Sequence, residues 1–209
     1  MRILRLTLAY DGTTFVGWQR QSSGVSIQGL LEDALAEFDG RPVAVTGAGR
    51  TDAGVHALGQ VASLTLARET DAPTVVRAVN ARLPAAVRVL DAEEVPAGFH
   101  ARFGSTAKVY RYRIWNAGVL SPFERPFVWH LPASPLDVDA MAAAAARLEG
   151  THDFAAFQGT GAETHTTERT LYSSRVARGG ELPTFLGRRG PSRAIANPLI
   201  VYEVCGNGF

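Results

Sequence analysis

The sequence predicts an α+β fold in which helices back antiparallel sheets. Segments of two-residue apolar alternation are interleaved with segments of three- to four-residue spacing. Gly, Pro and Asp-Gly signals fall at the boundaries between them. The first half reads β-α-β-β-α-β, the split βαβ or ferredoxin-like order, and the second half starts the same way.

Residues 2–10 alternate, with Leu4, Leu6, Leu8 and Tyr10 on one face and Arg5 and Thr7 on the other, a strand ended by the Asp11-Gly12 turn. Ser26 is the N-cap of a helix that carries Ile27, Leu30, Leu31, Ala34, Leu35 and Phe38 at helical spacing and stops at Gly40. Extended stretches follow over 43–46 and 61–66, with a Gly-rich segment between them. A second helix is predicted over 73–82, closed by Pro84, and a strand over 87–95.

In the second half, the strand at 108–115 places Val109, Arg111, Arg113 and Trp115 on one face and Tyr110, Tyr112 and Ile114 on the other. A connector with Pro122, Pro126, Pro132 and Pro135 leads to a helix capped by Asp137, with Val138, Met141, Ala145 and Leu148 as apolar positions and Gly150 as its end. Strands are expected over 170–177 and 199–205. The count is β-α-β-β, without the helix and strand that would complete a second βαββαβ unit. The expectation is therefore two ferredoxin-like domains, 1–104 and 105–209, the second truncated at its C-terminus with part of its apolar face uncovered and an edge open.

Composition narrows the function classes. Of 209 residues, 46% are hydrophobic, enough for ordinary cores. Twenty-one basic residues oppose twenty acids, a net charge of +1, so no whole-chain polycation is offered to nucleic acid. All the basic residues but Lys108 are arginine. Arginine suits bidentate phosphate contacts, and a GC-rich genome produces the same bias. Cys205 is the one cysteine, which excludes a disulfide framework and a cysteine-based zinc site. His100, His130, His152 and His165 are scattered, so metal catalysis is not expected. The N-terminal segment has no apolar run long enough for a signal peptide or a membrane span, which makes a cytoplasmic protein without a membrane partner the expectation.

The densest chemical signal runs from Gly47 to Ala57, with three glycines in eight residues around Arg50 and Asp52. Two readings fit Asp52. If the segment is extended, residues i and i+2 share a face, and Arg50 pairs with Asp52 and keeps the carboxylate ionised for nucleophilic or base chemistry. Alternatively, Asp52 satisfies turn amides. The segment lacks the Gly-Lys-Ser/Thr ending of a P-loop. His56 reads either as an acid-base group or as a hydrogen-bonded, half-buried histidine.

From Phe99 to Trp115 there are four Arg/Lys residues and no acid, and tyrosines alternate with arginines. Stacking surfaces with phosphate contacts, or core tyrosines on a half-buried strand, both produce that pattern. Arg175, Arg178, Arg188, Arg189 and Arg193, opposed by Glu181 alone, read as an RNA backbone contact or a solvated hairpin. Trp18 is either an exposed stacking platform or a packed anchor. Phe99, Phe103 and Phe127 are assigned to the core.

These residues resemble the tRNA pseudouridine synthase A family. The matching segments are Tyr10-Asp11-Gly12 through Gly17-Trp18-Gln19-Arg20-Gln21, then GAGRTDAGVHALGQVA over 47–62. Asn80-Ala81-Arg82-Leu83-Pro84, Phe99-His100-Ala101-Arg102-Phe103 and Lys108-Val109-Tyr110-Arg111-Tyr112 follow. Gly150-Thr151-His152-Asp153-Phe154 and Arg169-Thr170 fit less specifically.

The resemblance implies conversion of uridine to pseudouridine in the tRNA anticodon stem-loop, at tRNA positions 38, 39 and 40, without cofactor or metal, by a homodimer. It implies Asp52 as catalytic nucleophile, Arg50 as its ion-pair neighbour and Tyr110 as the aromatic that packs on the target base. Tyr10, Gln19, Gln21, His56, Arg102, Lys108 and Arg111 are the expected substrate-binding residues. Family members usually continue past a Gly206-Asn207-Gly208-Phe209 pattern into a helix whose arginine also reaches the aspartate, and this sequence ends at Phe209.

Two alternatives come from other classes. A non-catalytic or weakened tRNA-binding homologue would keep the fold without turnover. A carboxylate glycosidase would need a second acid as proton donor, and the 47–62 run offers only Asp52.

Overall fold

The computed structural model describes residues 2–132, 134–159, 166–179 and 197–208. The chain divides into two compact units, Met1–Ser105 and Thr106–Phe209. Of the sequence expectations, His165 and the cluster members Glu181, Arg188, Arg189 and Arg193 lie outside the described residues.

The first unit runs β1 (Arg2–Tyr10), α1 (Ile27–Asp39), β2 (Val45–Gly47), β3 (Ala57–Leu66), α2 (Ala72–Asn80) and β4 (Val87–Val95). Its sheet is ordered β2-β3-β1-β4 and every pairing is antiparallel. This is the ferredoxin-like topology that the element order predicts.

The alternation in β1 buries Leu4, Leu6, Leu8 and Tyr10 in one core cluster with Leu31, Leu35 and Phe38 of α1 and Val75 and Val79 of α2. Each such aliphatic side chain contributes roughly 1.5–3 kcal/mol by leaving water. Ser26 caps α1 by accepting from Gly29 N at 3.2 Å, and Gly40 ends it in the left-handed conformation. Asp71 caps α2 by accepting from Thr74 N at 2.8 Å, so this helix starts one residue before Pro73. β3 begins at Ala57 rather than at 61, because its first residues are small, polar or exposed and show no apolar alternation.

The second unit has a five-stranded sheet ordered β6-β5-β9-β8-β7. The predicted β-α-β-β is present as β5 (Lys108–Trp115), α3 (Val138–Ala146), β8 (Glu168–Arg178) and β9 (Leu199–Gly206). Two short strands lie outside that expectation. β6 (Trp129–His130) pairs in parallel with the end of β5, and β7 (Gly150–Asp153) pairs with β8. Gly150, expected as a helix stop, instead opens β7 at φ 105°, and α3 ends four residues earlier.

Ile114, Leu171, Ser174, Ile200 and Val204 are buried in this sheet, as is Ala145 of α3. On the same face of β5 as Ile114, Tyr112 is 57% exposed and stacks on Tyr202 at 5.9 Å between ring centroids.

Candidate active site

The loop that joins β2 to β3 carries Asp52, and the structure fixes it at both ends. At its entry Gly47 pairs with Ala62, and Ala48 N donates to Val61 O at 2.8 Å. At its exit a register shift in the β1–β3 pairing sets Tyr10 opposite Ala57. Between these roots the loop lies on the segment that follows β1. Trp18 N donates to Thr51 O at 2.9 Å, and Gly54 N donates to Phe15 O at 3.3 Å.

Two glycines make that approach possible. A Cβ on Gly17, whose φ is +107°, would stand 2.6 Å from Thr51 O. A Cβ on Gly47 would stand 2.6 Å from the Trp18 indole. Trp18 is only 2% exposed, so it is a packed anchor of this unit and not a stacking platform.

Side chains complete the clamp. The Tyr10 hydroxyl shares a 2.9 Å hydrogen bond with Thr51 Oγ1, and Gln60 Nε2 donates to Gly49 O at 3.0 Å. Tyr10 is 4% exposed, so it supports the loop from beneath instead of standing on its surface. Burial pushes the Tyr10 phenol above its ordinary value, opposed in part by the neighbouring Thr51 and Gln60 side chains. His56 Nδ1 lies 3.1 Å from Gly12 N, from which it accepts, and 3.1 Å from Asp11 Oδ1. The Asp11 carboxyl is held below the ordinary carboxylate range, first by the Thr13 hydroxyl, then by the Thr13 amide, with His56 adding to the pull.

Asp52 itself is exposed. Among the described residues its carboxylate forms neither the expected ion pair with Arg50 nor a bond to a turn amide. The reason is backbone geometry: the Asp52 carbonyl accepts from Val55 N at 3.2 Å, so the chain turns here. The same-face rule for residues two apart holds for extended backbone only. What results is an acid with no internal partner at the tip of a clamped loop.

The arginines show a similar contrast. Arg2, Arg5, Arg20, Arg41 and Arg82 of the first unit are ion-paired to acids. Arg68, Arg77 and Arg88 hydrogen-bond to carbonyl or hydroxyl oxygens. Among the described residues of that unit, Arg50 and Arg102 alone have no such partner, and both are exposed.

The remaining expected contacts are divided between the units. Gln19 and Gln21 are exposed in the first, and Gln21 Nε2 reaches Val16 O at 3.5 Å. In the second, Tyr110 and Lys108 are half-buried on β5, and Arg111 is committed to Glu203 at 2.6 Å. Two core assignments are corrected: Phe103 and Phe127 are exposed, because Phe103 sits in a turn and Phe127 in the short 3-10 helix Arg125–Phe127 instead of an alternating strand. Phe99 is half-buried. Among the described residues, no three His, Cys, Asp or Glu side chains gather as metal ligands would, and no helix is long and apolar enough to cross a membrane.

The sequence model of the tRNA pseudouridine synthase family matches residues 7–104 and 144–209. The chain belongs to that family. The matched segments carry Asp52, Arg50 and the whole clamp around them, whereas Lys108, Tyr110 and Arg111 fall between them.

Relatives extend the likeness over two thirds to four fifths of the synthases compared. The tRNA pseudouridine synthase A of Solibacter usitatus is 45% identical over 212 residues, which covers 100% of this chain and 81% of that protein. That of Pelobacter propionicus is 41% identical over 209 residues, covering 100% and 78%. That of Solidesulfovibrio magneticus is 48% identical over 182 residues, covering 85% and 66%.

Thr51 and Gln60 are the supporting residues that sequence reasoning passed over. Both lie inside the 47–62 run, but only the fold shows that their side chains face Tyr10 and Gly49.

Proposed function

We propose that this protein is a tRNA pseudouridine synthase that isomerises uridine to pseudouridine in the anticodon stem-loop, at tRNA positions 38, 39 and 40, with Asp52 as its catalytic group. The observation that carries the proposal is the partnerless Asp52 carboxylate on a loop clamped by Tyr10, Trp18 and Gln60, within the segment that matches the family. The wider reading is a cytoplasmic homodimer that needs neither metal nor cofactor.

The reaction neither gains nor loses atoms overall. The C1′–N1 bond of uridine breaks, the uracil turns, and C1′ bonds to C5; the C5 proton leaves and N1 takes up a proton. A uridine stacked in a stem is out of reach, so it is flipped toward Asp52. A carboxylate can start the sequence by attack at C1′, by attack at C6, or by removing the ribose 2′ proton, and each route needs it ionised and unencumbered. A carboxylate without a partner among the described residues stands unencumbered in the free protein.

Arg50, exposed beside it in sequence, is the cation available to approach Asp52 or the flanking phosphate once RNA is bound. Tyr110 is assigned to pack on the uracil and hold it while it turns. Because Asp52 is exposed, the bound RNA itself must exclude the water that would otherwise capture the sugar.

The test is nucleoside mass spectrometry of unmodified tRNA after incubation with the protein. Pseudouridine at one or more of the three positions is expected, and its absence from all of them overturns the reading.

A further inference from the structure

After β4 the chain crosses the face of the first unit's sheet opposite the helices. Ala101 N donates to Ser63 Oγ at 3.1 Å, and both residues are buried. Ser63 pairs with Arg5, which alternates with the buried leucines of β1. Gly104 N then closes a turn on His100 O at 2.8 Å, and His100 Nδ1 accepts from Phe103 N at 3.3 Å. These bonds fix the imidazole, and the Phe103 ring stacks on it with 4.3 Å between centroids and 27° between planes. The phenyl ring is nevertheless 80% exposed.

A phenyl ring held rigidly in water forgoes burial that would stabilise the fold. Among the described residues, its neighbour Arg102 is one of two guanidinium groups of the unit with no internal partner, and no acid occurs from Phe99 to Trp115. A fixed aromatic face beside an unneutralised guanidinium suits an unpaired nucleobase and its phosphate. An uncharged protein surface would have no use for the cation. The location agrees. Ser63 lies two residues along β3 from Val61, whose carbonyl holds the root of the Asp52 loop, a separation of about 7 Å.

We propose that Phe103, backed by His100, is a stacking platform for an unpaired base next to the target uridine, with Arg102 taking an adjacent phosphate. The inference rests on the reading of the chain as a tRNA pseudouridine synthase and adds a subsite to it.

The experiment compares Phe103→Ala and Phe103→Trp with the wild-type chain, measuring tRNA affinity by anisotropy together with kcat and KM for pseudouridine formation. Loss of one stacked base weakens binding by about 5- to 150-fold. Phe103→Ala should therefore raise Kd and KM by that factor and leave kcat and the thermal midpoint unchanged. Phe103→Trp should retain affinity, and tRNA should quench its emission. Affinity of Phe103→Ala within about twofold of wild type would overturn the platform while leaving the synthase reading intact, since the wild-type protein is assayed alongside. A shift in self-association in place of tRNA affinity would overturn it too, by assigning the ring to a protein contact. A wild-type chain that forms no pseudouridine sinks the functional reading first.

Discussion

Tyr10 is a buried side chain that holds the loop carrying the proposed catalytic group. Its ring belongs to the core and its hydroxyl meets Thr51, the residue before Asp52, at 2.9 Å. The hydroxyl is thus a fixed point below the loop that carries Asp52. Tyr10→Phe removes one neutral hydrogen bond and preserves the ring, so stability should fall by only about 0.5–1.5 kcal/mol. Misplacing a catalytic group by about 1 Å can cost on the order of 100-fold in rate. The expected result is kcat lower by about tenfold or more with KM for tRNA unchanged, read from steady-state kinetics. An equal change in both parameters would mean that Tyr10 acts on binding. The alternation of β1 already placed Tyr10 with Leu4, Leu6 and Leu8, so its burial was legible in the sequence, whereas its contact with Thr51 depended on where the loop folds back. Arg50 and Asp52 teach the reverse lesson. Their spacing suggests a pair only on extended backbone, and a single turn at Asp52 undoes it.

The first unit's elements were legible where local chemistry decides them. Ser26 and Gly40 announce helix ends through their own side chain or lack of one, and the apolar spacing of α1 matches its buried face, whereas the Asp71 cap of α2 emerged only with the fold. β6 and β7 were not legible, because two and four residues carry no measurable periodicity and their pairing is set by distant strands. Ser26→Ala should cost about 1 kcal/mol, seen as a thermal midpoint lower by about 4–8 °C for a unit of this size.

Acid should loosen the same framework. The Asp71 carboxyl is held low by the Thr74 side chain and amide, and that of Asp11 by Thr13. Groups with lowered folded values stabilise fully above the ordinary carboxylate value near pH 3.9, and that contribution disappears as pH falls through the folded values. The thermal midpoint should therefore drop below about pH 4, and Asp71→Asn, which keeps the cap without the charge, should make the drop shallower. A midpoint that rises on acidification would contradict this assignment.

For the molecule as a whole, the near-zero net charge conceals a division of labour among cations. Most described arginines of the first unit are tied to internal partners and hold the fold together. The two left over stand at Arg50, beside Asp52, and at Arg102, beside the exposed Phe103. Composition could not reveal this, since +1 is the same whichever arginines are paired. The partnerless acid and its clamped loop are what the family membership and the proposed isomerisation have in common.

The most direct measurement is therefore made on Asp52→Ala, with tRNA binding and pseudouridine formation followed in parallel. Turnover should fall by about 10⁴-fold or more, the usual effect of deleting a nucleophile, while tRNA affinity stays within a few-fold of wild type. Pseudouridine formed by Asp52→Ala at a rate near that of the wild-type protein would contradict the account.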